Sequence, residues 1–263
     1  LGISLYFYQA IRMVPVLVVA GALLALLIRA RSWRSLGSYV LNGMFMVVMS
    51  LAVFAPLGRY WSDYPQYFWQ RTEGRLLGEE VVDVRNANGE VIGQRATTLE
   101  ERLNAFAQNL PVLSDNLRRS ILMFNVKGDL AWITGDPDGT PQLDPITGTF
   151  FVMGLGVMFI RGVWRRDPVD WLLIVGIFIM LLPTALSIAF VIEVPSATRA
   201  SGSLPMVYLL AAFGLAALLK AFADRLTTRR GIMLVLTGGV LLVGFSASRN
   251  WDAYFVDAMS DYR

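Results

Sequence analysis

Long apolar blocks, separated by short basic or polar joints, make up most of this chain. A bilayer core of about 30 Å needs roughly 20 mostly apolar residues in a helix. Six blocks meet or approach that length: Leu5–Ile28, Leu36–Leu57, Ile146–Ile160, Val169–Ile192, Leu204–Phe222 and Gly231–Ser248. The third is short and is expected to borrow Val163 and Trp164 at its far end.

Between the second and third blocks, from Gly58 to Pro145, the pattern changes. A stretch this long is not expected to lack structure. It opens on "RYWSDYPQYFWQRTEG" (59–74), an aromatic-rich segment suited to a short amphipathic helix at an interface. "EVVDVRNANGEVIGQ" (80–94) predicts a small hairpin, with Val82, Val84, Val91 and Ile92 flanking a turn at Asn88 and Gly89. In "TTLEERLNAFAQNLPVLSDNLRRSILMF" (97–124), Thr98 and Glu101 have capping-box spacing, and Leu99, Leu103, Phe106 and Leu110 share one helical face. Pro111 ends that helix, and Ser114 is placed to cap a second one carrying Leu117, Ile121 and Leu122. The loop closes on a polar ribbon in which "GDPDGT" and "LDPITG" read as turns. Such backbone has to line water or pack on protein, so the ribbon is expected at the rim of a cavity.

Composition supports the membrane reading. The chain is 55% hydrophobic and 16% charged, where a soluble domain is roughly a quarter charged. The absence of cysteine excludes disulfides and thiolate metal sites, and the absence of histidine removes the commonest general base and metal ligand. Acid–base chemistry falls to carboxylates, Lys or Tyr. Asp136 and Asp138 mimic a metal-binding pair, but further ligands at calcium-loop spacing do not follow, so no metal is expected. No nucleic-acid partner is expected either.

The net charge of +3 matters less than where the charges sit. Arg29, Arg31 and Arg34 follow the first block; Arg161, Arg165 and Arg166 follow the third; Lys220, Arg225, Arg229 and Arg230 follow the fifth. Basic short loops mark the cytoplasmic side, which puts the large loop and the C-terminus outside. The first residues then also lie outside, which leads to the expectation of an odd number of further helices upstream. The fold class expected is an all-α polytopic membrane protein with about six transmembrane helices and an α/β extracytoplasmic insertion. Its regions are 1–57 (two helices), 58–145 (the loop), 146–248 (four helices) and 249–263 (an outer tail).

Five ordered segments carry a resemblance: "GISLYFYQAIRMVPVLV" (2–18), "FAPLGRYWSDYPQYFWQRT" (54–72), "MFNVKGDLAW" (123–132), "PQLDPITGTFFVMGL" (141–155) and "PSATRASGSLPMVYLLAAFGL" (195–215). Together they resemble the C-terminal half of bacterial family 39 glycosyltransferases, in the GT-C superfamily of protein mannosyltransferases and the aminoarabinose transferase. The resemblance implies a polytopic cell-membrane enzyme that transfers a sugar from a polyprenyl-phosphate donor on the extracytoplasmic face, without a further cofactor. The family's catalytic acidic residues lie in the first outer loop. Nothing here matches that motif, so no catalytic residue is assigned.

Lipid-phosphate or substrate contacts are sought instead. Arg12, after Tyr6 and Tyr8, sits near the outer end of the first block. A guanidinium there either meets phosphate bidentately or snorkels to headgroups. Arg199, among small residues, offers the same chemistry or pairs with Glu193. Lys127 and Asp129 touch sugar or acceptor, or hold a turn. Arg118 and Arg119 meet phosphates or form a solvated face. Expected partners are membrane lipids, the polyprenyl-phosphate sugar, and missing N-terminal helices or a partner membrane subunit. The rival reading is a non-catalytic integral membrane subunit that packs in a larger membrane complex.

Overall fold

The computed structural model describes residues 1–6, 11–29, 33–78, 81–86, 90–129, 139–226 and 228–257. Tyr8, the hairpin turn at Asn88 and Gly89, and Asp136 and Asp138 lie outside the described residues. Ten α-helices and two strands follow in order among those described: α1 (Val14–Arg29), α2 (Trp33–Asp63), α3 (Pro65–Leu77), β1 (Val81–Arg85), β2 (Val91–Ala96), α4 (Leu99–Asn109), α5 (Val112–Leu122), α6 (Pro145–Arg165), α7 (Pro168–Ala185), α8 (Ala197–Ala200), α9 (Leu204–Ala223) and α10 (Arg229–Asp252). Six helical segments are long and apolar enough to cross a membrane: 11–28, 37–63, 145–165, 168–185, 197–223 and 229–252.

Several boundaries differ from the sequence expectation, each for a physical reason. The first long apolar helix does not begin at Leu5. Gly2–Tyr6 is a separate 3-10 turn, and the Tyr6 hydroxyl donates to the Val53 carbonyl (2.9 Å) and accepts from the Leu57 amide (3.2 Å). Pro56, one residue earlier, has no N–H to give the helix, and a side chain inserted into the ladder re-satisfies a turn disturbed this way. Because α2 survives Pro56, it runs on to Asp63 and absorbs the start of the aromatic segment. The fourth block stops being helix at Ala185 rather than Ile192. There the Asn116 amide donates to the Ala185 carbonyl at 3.1 Å, caps an orphan helix-end acceptor and lets the chain turn.

The centre of the molecule is α6, α7 and α9. The α6–α9 contact is the most extensive between any two elements. A Cβ on Gly154 would overlap the Leu210 carbonyl oxygen, and one on Gly214 would overlap that of Phe150. The two backbones therefore touch. Phe151, Met158, Ile177, Leu181, Val207 and Leu210 fill the space around the crossing. Helix α1 lies antiparallel along α7, with Gly21 against Leu172 and Gly176 against Leu17. Asp144 caps α6 by accepting from Ile146 N and Thr147 N, so "LDPITG" is a helix start rather than a turn, with Pro145 in the first turn. The same carboxylate accepts from Ser246 (2.8 Å) and Asn250 (3.1 Å), tying the end of α10 to the start of α6.

In the loop, β1 and β2 pair antiparallel with a bulge after Val84, as the hairpin reading required. Thr98 and Glu101 form the full capping box of α4. Ser114 is not a cap: α5 starts at Val112, and the Ser114 hydroxyl donates back to the Pro111 carbonyl. The apolar face of α4 stays uncovered at Leu99, Leu103 and Leu110. The two ends of the bundle are thus distinct. One carries the loop elements and the α7–α9 connection; the other carries the α6–α7 turn, where Arg161 forks onto Asp170 (2.8 and 2.6 Å).

Candidate functional site

Residues 186–203, the connection from α7 to α9, form the floor of the loop end. A buried polar frame holds them. Thr184 Oγ1 accepts the Ser196 amide at 2.9 Å, and Arg199 Nη1 donates to Ser187 Oγ at 2.6 Å. Arg199 Nη2 donates to Glu193 Oε2, whose other oxygen is 2.6 Å from Arg75 Nη1 of α3. The Arg75 guanidinium also stacks over Phe190, and its carbonyl accepts the Ala189 amide. Burial raises the cost of charge on Glu193. The hydrogen bonds from Arg199 and Arg75 outweigh it and hold the carboxyl below its ordinary value. Arg199, only 7% exposed, is therefore engaged in pinning 187–199, the pairing with Glu193 foreseen as one alternative.

Asp129 performs a parallel task. It is 3% exposed, and its Oδ2 accepts the Ala197 amide at 2.8 Å, which fastens the segment after α5 to the start of α8. That segment is ordered by local backbone bonds. Val126 N reaches Leu122 O, Gly128 N reaches Gly139 O, and Gln142 N and Leu143 N pair with Met123 O and Phe124 O. A side chain on Gly128 would collide with the Thr140 carbonyl, so this close approach needs glycine.

Between the two fastened segments lies a cleft of about 390 Å³. Val194 and Pro195, joined by a cis peptide bond, wall one side. Leu122, Val126, Lys127 and Gly128 wall another, and Asp115, Arg118 and Arg119 of α5 complete it. Arg119 pairs with Asp115 at 2.6 Å. Among the described residues, neither Arg118 nor Lys127 has a carboxylate partner. Three cations thus face one carboxylate over an apolar floor. From the sequence, Arg118 and Arg119 read as phosphate ligands or a solvated face; only the turn after α5 sets Lys127 beside them.

Arg12 sits in a 3-10 turn, Ile11–Met13, that precedes α1 and packs against α7. The antiparallel register of α1 on α7 brings it to the same end of α7 as Thr184 and Ser187. It is half-buried, outside the cleft lining. The Glu193 frame itself was legible only as one possible Arg199 pairing. Arg75, Ser187 and Asn116 carried no sequence signal beyond being polar.

A second, apolar groove of about 290 Å³ runs between α6, α9 and α10, lined by Phe150, Tyr208, Leu215 and Leu242, with Thr147 and Ser246 at one end. Among the described residues, no group of three acidic side chains is close enough to hold a metal ion. No protein-family model, curated protein or solved structure matches the chain.

Proposed function

We propose that this chain is the C-terminal portion of a membrane glycosyltransferase that moves a sugar from a polyprenyl-phosphate donor to an extracytoplasmic acceptor. The observation that carries the reading is the convergence at one bundle end of an anion-attracting cleft and the segments 123–129 and 195–199, which belong to the blocks of resemblance. Transfer from such a donor breaks the bond between the anomeric carbon and the phosphate oxygen. The acceptor oxygen takes the carbon, the phosphate leaves with the electron pair, and an upstream carboxylate accepts the acceptor's proton. The residues of this chain contribute positive potential toward the departing phosphate. Arg199 and Asp129 act as positioning residues, because their polar atoms already hold the cleft walls.

The loop end is assigned to the extracytoplasmic side from the arginines and lysine in the other short connections. This chain has no cysteine, so Ile92→Cys, at an exposed strand position, adds a thiol whose labelling is read against the unsubstituted protein. It should react with an impermeant reagent in intact cells; labelling only after lysis would reverse the sidedness. The transfer itself is tested with the full-length protein in liposomes containing a radiolabelled polyprenyl-phosphate sugar. Release of polyprenyl phosphate together with a labelled acceptor is expected. Turnover of a nucleotide sugar in place of the lipid donor would overturn the reading.

A further inference from the structure

We infer that the cleft where the ends of α1 and α6 meet the start of α7 holds the headgroup of an anionic glycerophospholipid, with its phosphate on Arg166. The site lies at the end of the bundle opposite the loop. It rests on a bilayer placement of the long helices and not on sugar transfer.

Position comes first. A cleft of about 400 Å³ is lined by Leu27 and Ile28 of α1, by Gly162, Val163 and Arg166 at the end of α6, and by Trp171 of α7. Three of the segments long enough to span a bilayer, 11–28, 145–165 and 168–185, end or begin here. At such a level hydrocarbon gives way to headgroups, and tryptophan is the residue suited to it. Trp164 stands exposed beside the cleft. The Trp171 indole packs on Gly162, donates to the Gly162 carbonyl at 3.1 Å and meets Phe159 edge-on. This wall is therefore set before a ligand arrives. Leu27, 83% exposed, and Val163 supply apolar surface beside it.

Charge comes second. Two acids lie on the α6–α7 turn. Asp170 is held by Arg161, and Asp167 caps α7 by accepting the Val169 amide at 3.1 Å. Among the described residues, neither Arg165 nor Arg166 has a carboxylate within ion-pair distance, and both are exposed. The cleft thus sets a guanidinium without a carboxylate partner against apolar walls. A free phosphate would use only the guanidinium. A phosphatidylcholine brings an ammonium that the arginines repel. An anionic phospholipid uses both features, with its phosphate on the guanidinium fork and its first chain carbons on Leu27, Ile28 and Val163.

The backbone adds a third observation. Arg166 closes α6 in the left-handed conformation, with φ 51°. Glycine or asparagine fits that position at less cost. An arginine there is accounted for by what its side chain does. One competing use is local, because a cation at a helix C-terminus complements the helix dipole. The two uses make opposite predictions for Arg166→Asn.

The test places the full-length protein in phosphatidylcholine vesicles carrying a minor share of a diazirine-tagged lipid, either phosphatidylglycerol or phosphatidylcholine with the same chains. After photolysis, peptide mass spectrometry compares label at Leu27, Ile28 and Val163 with label at Val240 and Leu241, exposed residues of α10 outside the cleft. Tagged phosphatidylglycerol should favour the cleft about fivefold or more over tagged phosphatidylcholine, the scale of one charge-assisted contact. The preference should shrink as salt rises. Arg166→Asn should abolish it while the unfolding midpoint stays the same or rises. Arg166→Lys keeps a cation at the helix end and should retain only part of it, because a point charge lacks the fork. Equal labelling of the cleft by both lipids in the wild type would overturn the site. So would an Asn variant that loses stability but keeps the preference, the result expected of a helix-end role alone. Displacement of the label by inorganic phosphate would replace the lipid with a soluble anion. No label on either α10 or the cleft would remove the bilayer placement and the site with it. Because sugar transfer is not the readout, failure of this site leaves the transfer reading standing, and the reverse holds.

Discussion

At the α6–α7 end, Arg161 meets Asp170 with two hydrogen bonds, and the Asp170 side chain is 1% exposed. At the loop end, Arg118 and Lys127 stand exposed around a cleft with surplus positive charge. Both ends are rich in arginine, but the Arg161–Asp170 pair is closed on itself. The first pair is bidentate, with Phe213 beside the guanidinium and the Trp171 indole donating to the Gly162 carbonyl nearby. Beside it, Arg166 lines a separate cleft of about 400 Å³ with Gly162, Val163 and Trp171. The difference separates two uses of charge: a carboxylate matched to its cation holds helices, and a cation without one recruits an anion.

Breaking the closed pair should have the largest effect. Asp170→Ala strands a guanidinium against the bundle. Removing one partner of a buried pair costs about 3 kcal/mol or more. Thermal unfolding in detergent should show a large fall in midpoint or loss of folded protein. A midpoint within a degree or two of wild type would mean that the pair contributes nothing to helix association.

The Glu193 frame is intermediate, closed but at the loop end. Glu193→Gln weakens its bonds to both Arg75 and Arg199, with an expected loss of about 2 kcal/mol, the scale for hydrogen bonds to charged groups. Because the folded-state value of this carboxyl lies below the ordinary 4.5, its contribution is present above that pH and is lost as pH falls below it. Wild-type stability should therefore drop on acidification through that range, and the Gln variant should drop less. Parallel pH curves for the two proteins would remove Glu193 as the sensitive group.

Smaller again is the box at the start of α4. Thr98→Ala should cost about 1 kcal/mol, the usual value of an N-cap. Hydrogen exchange over α4 should rise while that over α6 and α9 stays unchanged. The Arg95 side chain, followed by the Thr98 amide, holds Glu101 at about 2, so this box should survive acidification from pH 4.5 downward until near that value. Carboxyl titration by NMR reads this directly. The least effect on stability belongs to the open cleft. Arg118→Gln should move the unfolding midpoint by no more than about 0.5 kcal/mol equivalent, as exposed side chains without partners do. A larger loss would show that Arg118 supports the fold and would weaken its claim to a ligand.

What the sequence by itself determined is everything written at short range. The apolar blocks locate six helices, since length and composition alone decide whether a segment can span. The Thr98–Glu101 box, the Pro111 break and the hairpin strands rest on neighbours within a few residues. Apart from Ser114, whose hydroxyl bonds back to Pro111, the errors lie where a partner far along the chain intervenes. Tyr6 bonds to Val53 and Leu57, and α2 runs through Pro56 to Asp63. Asn116 reaches the Ala185 carbonyl and ends α7 early; Asp144 becomes a cap that also holds Ser246 and Asn250, over a hundred residues away. The site belongs to the same class. Lys127, Asp129 and Arg199 were each visible as polar residues with two possible roles. Only tertiary structure decided that Asp129 and Arg199 spend their polar atoms on the protein while Lys127 joins Arg118 and Arg119. Whether a charge is free to bind depends on which carboxylate folding brings beside it, and sequence spacing does not encode that distance.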